Sequence, residues 1–225
     1  MNEVFLDTET TGLSFRDGHK VVEIACIETK DLIPTKKIFH KLINPKRNVP
    51  DQAFRIHGFS EKFLSSHETF DQIAEDFLKF IKGKTIIIHN ANFDLGFINN
   101  ELSLIGLPAL KNPVVDTVML ARETLNTRIA NLDYLCRRFN VDLSDRSFHG
   151  ALLDSQLLAS VYLELRGGKQ FSMKLDTVES TDKNTSMNNI NKGKTKEIQA
   201  TKDNIFIHKQ MVKKIKNPIW KKFNY

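Results

Sequence analysis

Two carboxylates two positions apart, Asp7 and Glu9, follow the apolar run Val4-Phe5-Leu6 and precede a Thr10-Thr11-Gly12 turn. Along a strand, side chains at i and i+2 leave the same face, so these two anions project side by side. Adjacent anions repel unless a cation lies between them. A hard divalent ion such as Mg²⁺ suits the pair, because it takes oxygen ligands and is commonly held by one or two carboxylates plus substrate phosphates. A bare Asp-x-Glu is more often a polar strand end at the surface, so partners further along must decide. Two more acids follow at helix starts, Asp94 and Asp154. Asp94 alone would only favour its helix dipole. Together, four carboxylates at one end of the first strand can hold two Mg²⁺ or Mn²⁺ ions about 3.5–4 Å apart, clamping the attacking and leaving oxygens of an in-line phosphoryl displacement. His149 adds what carboxylates lack, a base that is neutral at pH 7 and able to take a proton from the attacking water. On its own, a His before a helix is more often a cap or a surface residue.

These side chains need elements to carry them. The first strand is followed by a loop over 13–19, a long strand over 20–28 and a polar/apolar alternation over 36–43 that predicts a third strand, together an antiparallel meander. The stretch from Val49 to Ser60 reads as a helical turn leading into a loop with His57, where Gly58 permits close backbone approach. Phe70, Ile73, Phe77, Leu78 and Ile81 recur at helical spacing over 66–82, a core-facing helix. The apolar run after Lys84 predicts a buried, parallel-type strand, with Asn90 as cap of a helix reaching about Ile105. A short strand over 112–117 enters a helix through Leu125, a further helix spans 131–139, and His149 stands before a last helix that carries Asp154 to about Leu165.

The 225 residues allow one sizeable core plus an appendage. A hydrophobic fraction of 40% and a charged fraction of 27% are ordinary for a soluble globular protein. No stretch approaches the roughly 18 apolar residues of a membrane helix, and the chain opens on a strand rather than a signal peptide, which predicts a cytoplasmic protein without membrane contact. Cys26 and Cys136 sit among apolar neighbours as reduced core thiols. Residues 1–175 hold 22 basic and 22 acidic side chains, so the net charge of +6 belongs to the last 50 residues. There, 176–202 is a polar stretch with too little apolar surface to fold, and an apolar island follows with Phe206, Ile207, Met211, Ile215 and Trp220. An island of that size after a linker suits a docking peptide better than an independent domain.

Three blocks carry a resemblance: Asp7-Thr8-Glu9-Thr10-Thr11-Gly12, His89-Asn90-Ala91-Asn92-Phe93-Asp94 and His149-Gly150-Ala151-Leu152-Leu153-Asp154. Their order and type resemble the three motifs of the DEDDh exonuclease family, most closely its branch of proofreading subunits of bacterial DNA polymerase III. The likeness spans residue 3 to about 175 and includes Ile56-His57-Gly58 and the segment from Asn131 to Cys136. It implies an α/β ribonuclease H-like fold, a mixed five-stranded sheet flanked by helices, and hydrolysis of the 3′-terminal phosphodiester of a single-stranded or frayed DNA end to nucleoside 5′-monophosphates. Residue by residue, it implies two divalent ions (Mg²⁺ or Mn²⁺) on Asp7, Glu9 and Asp154, with Asp94 binding directly or through water, and His149 as general base. It places Gln52 and His57, with Asp7, Glu9 and Asp154, at the terminal nucleotide, although many relatives carry an acid where Gln52 stands. His89 and Asn92 read as strand-end and cap residues.

Gln170-Phe171-Ser172-Met173-Lys174-Leu175 is similar to hexapeptides that bind the bacterial sliding clamp: Gln170 would anchor, and Phe171, Met173 and Leu175 would fill an apolar groove. The division expected is an exonuclease domain over 1–168, a linker with the clamp peptide over 169–202, and a segment over 203–225 that docks on the polymerase III catalytic subunit. Two rivals differ in outcome: a DEDDh enzyme trimming RNA, which has no evident need of the appendage, and a noncatalytic adaptor between polymerase and clamp, in which erosion of the acidic set is expected.

Overall fold

A computed structural model describes residues 2–144, 146, 148–167 and 202–214. The chain divides into two units, Met1–Lys174 and Leu175–Tyr225. In the first, β1 (Asn2–Thr10) is the middle strand of a mixed sheet of order β3-β2-β1-β4-β5. It runs antiparallel to β2 (Val21–Lys30), which pairs antiparallel with β3 (Ile33–Leu42). On its other side β1 is parallel to β4 (Thr85–Ile88), and β4 to β5 (Val114–Asp116). Ile86, Ile87 and Ile88 are fully buried, as expected for a parallel strand covered on both faces.

The third strand begins earlier than its alternation predicts. Asp31 and Leu32 both adopt positive φ, 52° and 67°, forming a two-residue hairpin without the glycine that usually announces one. Leu32 in this region is strained, which is why the turn is hard to read from residue types.

Between β3 and β4 lie α1 (Asp51–His57), the single turn α2 (Glu61–Leu64) and α3 (Phe70–Ile81). His57 is the last residue of α1 rather than a loop residue. Gly58 ends that helix at φ 76°, a conformation any side chain would strain. α4 (Ala91–Leu104) joins β4 to β5; α5 (Thr117–Leu125), α6 (Leu132–Arg138) and α7 (Ala151–Leu165) complete the unit. Asn90 does not cap α4 through its side chain, contrary to expectation, because it sits in the left-handed region. Asp116 performs that task from the end of β5: its carboxylate accepts from the backbone N–H of Asn90 (3.2 Å) and Ala91 (3.1 Å), and also from Val118 (2.8 Å) of α5.

Strand alternation then sorts the core into two. Val4 and Leu6 face one side, where they pack with Ile24, Cys26, Ile86 and Ile88 against Phe70, Ile73, Phe77 and Ile81 of α3 and against Phe97 and Leu102 of α4. Phe5 faces the opposite side, packing with Ile27 and Ile87 against α6 and α7 through Leu135, Leu158, Val161 and Tyr162. Continuing the alternation, Asp7 and Glu9 emerge on the α7 side and Thr8 on the α4 side. The second unit is described only over α8 (Lys202–Lys214), where Phe206 and Ile207 are exposed. The clamp-type peptide from Gln170 to Leu175, the linker, Ile215 and Trp220 lie outside the described residues. Among the described residues, no helix is long and apolar enough to cross a membrane.

Candidate active site

The acidic residues predicted from the motifs gather at the C-terminal end of β1. Glu9 pairs in register with Glu23 of β2, and a bulge between Glu9 and Thr10 ends the regular ladder there. From the α7 face comes Asp154. Among the described residues, Glu9, His149 and Asp154 offer ligand atoms that all lie within 4.8 Å of one another. Asp94 arrives from the opposite face on the first turn of α4, buried, its Oδ1 accepting the Thr8 hydroxyl at 2.6 Å. β1 thus serves both faces at once, with Thr8 seating Asp94 and the odd-numbered acids meeting Asp154.

Electrostatics records this crowding. Burial, then Asp94, Glu9, Asp154 and Glu23 in that order, raise the Asp7 carboxyl well above its ordinary range. Burial followed by Asp154, Glu23 and Asp94 pushes Glu9 up to about 8, with Arg146 opposing. Asp94 is pushed up to about 7 by burial, against the Thr8 hydrogen bond. Asp154 goes the other way: burial would raise it, but His149 and Arg146 beside it prevail and hold it below its ordinary value. Carboxylates that repel one another, with Glu9, Asp154 and His149 in reach of a common point, fit a hard divalent cation.

His149 stands half-exposed before α7, its Nδ1 3.5 Å from Asp154 Oδ2. Its backbone N–H donates to Ile56 O at 3.0 Å, tying the third motif to the end of α1. A Cβ on Gly58 would meet the Phe148 ring at an ordinary van der Waals distance of 3.5 Å, so it is the positive φ, not close approach as expected, that calls for glycine there. His57 is buried and stacks on Phe59 with centroids 5.1 Å apart; its Nδ1 accepts from Phe59 N–H at 3.0 Å. That places the ring proton on Nε2, which is buried without a hydrogen-bond partner among the described residues. Burial also lowers the His57 pKa, with Glu23 opposing. A cavity of about 500 Å³ beside Glu9 is lined by residues including Thr10, Leu13, Gln52, His57 and Phe93, so Gln52 and His57 share one hollow with the acidic centre. His89 bonds Thr117 Oγ1 through Nδ1 at 2.9 Å, and Asn92 is exposed, consistent with structural roles.

Two residues at the site escape motif reading. Glu23 lies beside Glu9, accepts the α7 backbone N–H of Ala151 at 2.9 Å and pairs with His40 at 2.7 Å. Only the β1–β2 register reveals it. Arg146 donates to both oxygens of Asp154, at 2.7 Å and 2.6 Å. Its position three residues before His149 is the only signal of this in the sequence.

The exonuclease family of RNase T type matches residues 4–162. A protein of Rickettsia conorii described as DNA polymerase III subunit epsilon is 45% identical over 224 residues, covering 96% of this chain and 96% of the relative. The protein of that description in Escherichia coli is 36% identical over 218 residues, covering 92% and 90%. Among solved structures, the nuclease domain of 3′hExo, a DEDDh family member bound to rAMP, superposes with a TM-score of 0.65 at 16% identity, over 74% of this chain and 92% of that one. Exonuclease X in complex with 5′ overhanging duplex DNA gives 0.57 at 23% identity, over 72% and 90%. These distant structures establish the fold.

Proposed function

Because the chain belongs to the RNase T-type exonuclease family, and within it to the DNA polymerase III epsilon subunits, we propose that its acidic centre removes mispaired 3′-terminal nucleotides during DNA synthesis. The observation that carries this reading is the cluster of Glu9, His149 and Asp154 at the end of β1, with Asp7 and Asp94 near enough to repel those acids. Asp7, Glu9 and Asp154 would hold two divalent ions, Mg²⁺ or Mn²⁺, with Asp94 contributing directly or through water. The chemistry such ions would supply there is Lewis-acid stabilisation of the charge that develops on the phosphoryl group. His149 takes the proton of the attacking water. Thr8 keeps Asp94 in place, and Glu23 fixes the start of α7, from which Asp154 projects.

The terminal nucleotide occupies the hollow lined by Gln52 and His57. The chain need not read bases to favour mismatches: a frayed end costs less to unstack and reaches a single-strand site more often. The partners are the polymerase III catalytic subunit, through the segment that includes α8, and the sliding clamp, through Gln170, Phe171, Met173 and Leu175. The corresponding division is an exonuclease domain over 1–168, a linker over 169–202 and a docking segment over 203–225. Cys26 and Cys136, both buried and unbridged, suit the reducing cytoplasm.

The test compares mononucleotide release from paired and mispaired DNA primers and from short RNA, with and without the polymerase subunit. Faster release from mispaired DNA, enhanced by the polymerase, is expected. Preference for RNA with no effect of the polymerase would replace this reading with RNA trimming.

A further inference from the structure

Arg146 touches three other residues at the centre. Its Nε and Nη2 form a fork on Asp154, its Nη1 bonds Asp133 of α6, and Nη2 donates to His149 Nδ1 at 3.0 Å. Its side chain is only 9% exposed, so these bonds hold it in one place. Guanidinium only donates, so a neutral His149 ring meets it through the Nδ1 lone pair. A fork bonded to both carboxylate oxygens also sets the plane of that carboxylate, which a lysine point charge cannot do.

We propose that Arg146 is a positioning residue of the nuclease centre, tethered by Asp133 and setting the plane of the Asp154 carboxylate. Outer partners of this kind orient ligands and are typically worth about 10- to 100-fold in metal affinity or activity. The inference rests on the nuclease reading above. Asp133, half-exposed on α6, contacts neither substrate nor metal in that reading, so it reports on the tether alone.

The experiment uses the full chain with Arg146→Met, Arg146→Lys, Arg146→Ala and Asp133→Asn, measuring kcat and KM on single-stranded DNA, Mn²⁺ affinity by titration calorimetry, and thermal melting. Arg146→Met is expected to lower kcat by about 10- to 100-fold and weaken Mn²⁺ binding by a similar factor, with KM little changed. Arg146→Lys should recover only a minor part, and Asp133→Asn should fall between wild type and Arg146→Met. Added guanidinium should partly restore kcat in Arg146→Ala. Unchanged kcat and Mn²⁺ affinity in Arg146→Met, whatever its melting temperature, would overturn the proposal, as would tighter Mn²⁺ binding. Absence of nucleotide release by the wild type would instead overturn the nuclease reading itself.

Discussion

At the scale of the residue, the acidic centre trades stability for chemistry. Glu9 has an ordinary value of 4.5 and is pushed to about 8 in the folded protein, so between these values the native state retains a proton that the unfolded chain has lost. Its contribution to stability is full below pH 4.5 and disappears as pH rises to about 8. Asp154 has the opposite sign: its lowered value stabilises the fold above its ordinary 3.8 and that gain is lost in acid. In EDTA, the melting temperature should therefore fall across the Glu9 window. Glu9→Gln should flatten that fall and raise the melting temperature at pH 8, while nearly abolishing nucleotide release. Mn²⁺ should restore more stability at about pH 8 than at about pH 6, because the acids it binds are more fully ionised there. Melting in EDTA that does not vary over this range would contradict the assignment of a crowded, repelling acid cluster.

At the scale of the element, the placement of the acids depends on how helices begin. Asp116 satisfies backbone donors at the starts of both α4 and α5, and α4 carries Asp94 in its first turn. Losing a cap costs about 0.5–2 kcal/mol, so Asp116→Ala should lower the melting temperature by several degrees and, by loosening α4, reduce kcat as well. Asp116→Asn, which keeps an acceptor, should lose less of both. Circular dichroism melts and steady-state assays on the two variants check this. The strands and helices themselves were legible, because Val4-Phe5-Leu6 is a short run of strand formers closed by a turn and because Phe70, Ile73 and Phe77 recur at helical spacing. Of the candidate site, the blocks carrying Asp7, Glu9, Asp94, His149 and Asp154 are local in sequence, and the fold brings Glu9, His149 and Asp154 within reach of one another. What could not be read depends on tertiary register. Asp116 replaces Asn90 as the cap of α4 because β5 lies beside β4; Glu23 reaches the site because it pairs with Glu9; and Arg146 matters only once α6 and α7 are packed together.

At the scale of the whole molecule, residues 1–175 balance their charges, and the positive excess lies beyond them. Phosphate neutralisation by this balanced stretch is modest, so adding the polymerase III catalytic subunit should raise affinity for a primer end in a binding assay. Truncation after Lys174 should leave kcat on single-stranded DNA within about twofold while abolishing co-purification of the polymerase subunit; retained co-purification would refute docking through the C-terminal segment. Gln170→Ala combined with Met173→Ala should weaken binding to purified clamp in fluorescence anisotropy, and unchanged affinity would remove that contact. The central claim is that the acids at the end of β1 perform the hydrolysis. The most direct measurement is release of nucleoside 5′-monophosphates from a mispaired primer by wild type and Asp7→Ala in the presence of Mg²⁺. Release should fall by more than the roughly 100-fold attributable to an outer partner; release by Asp7→Ala at the wild-type rate would contradict the account.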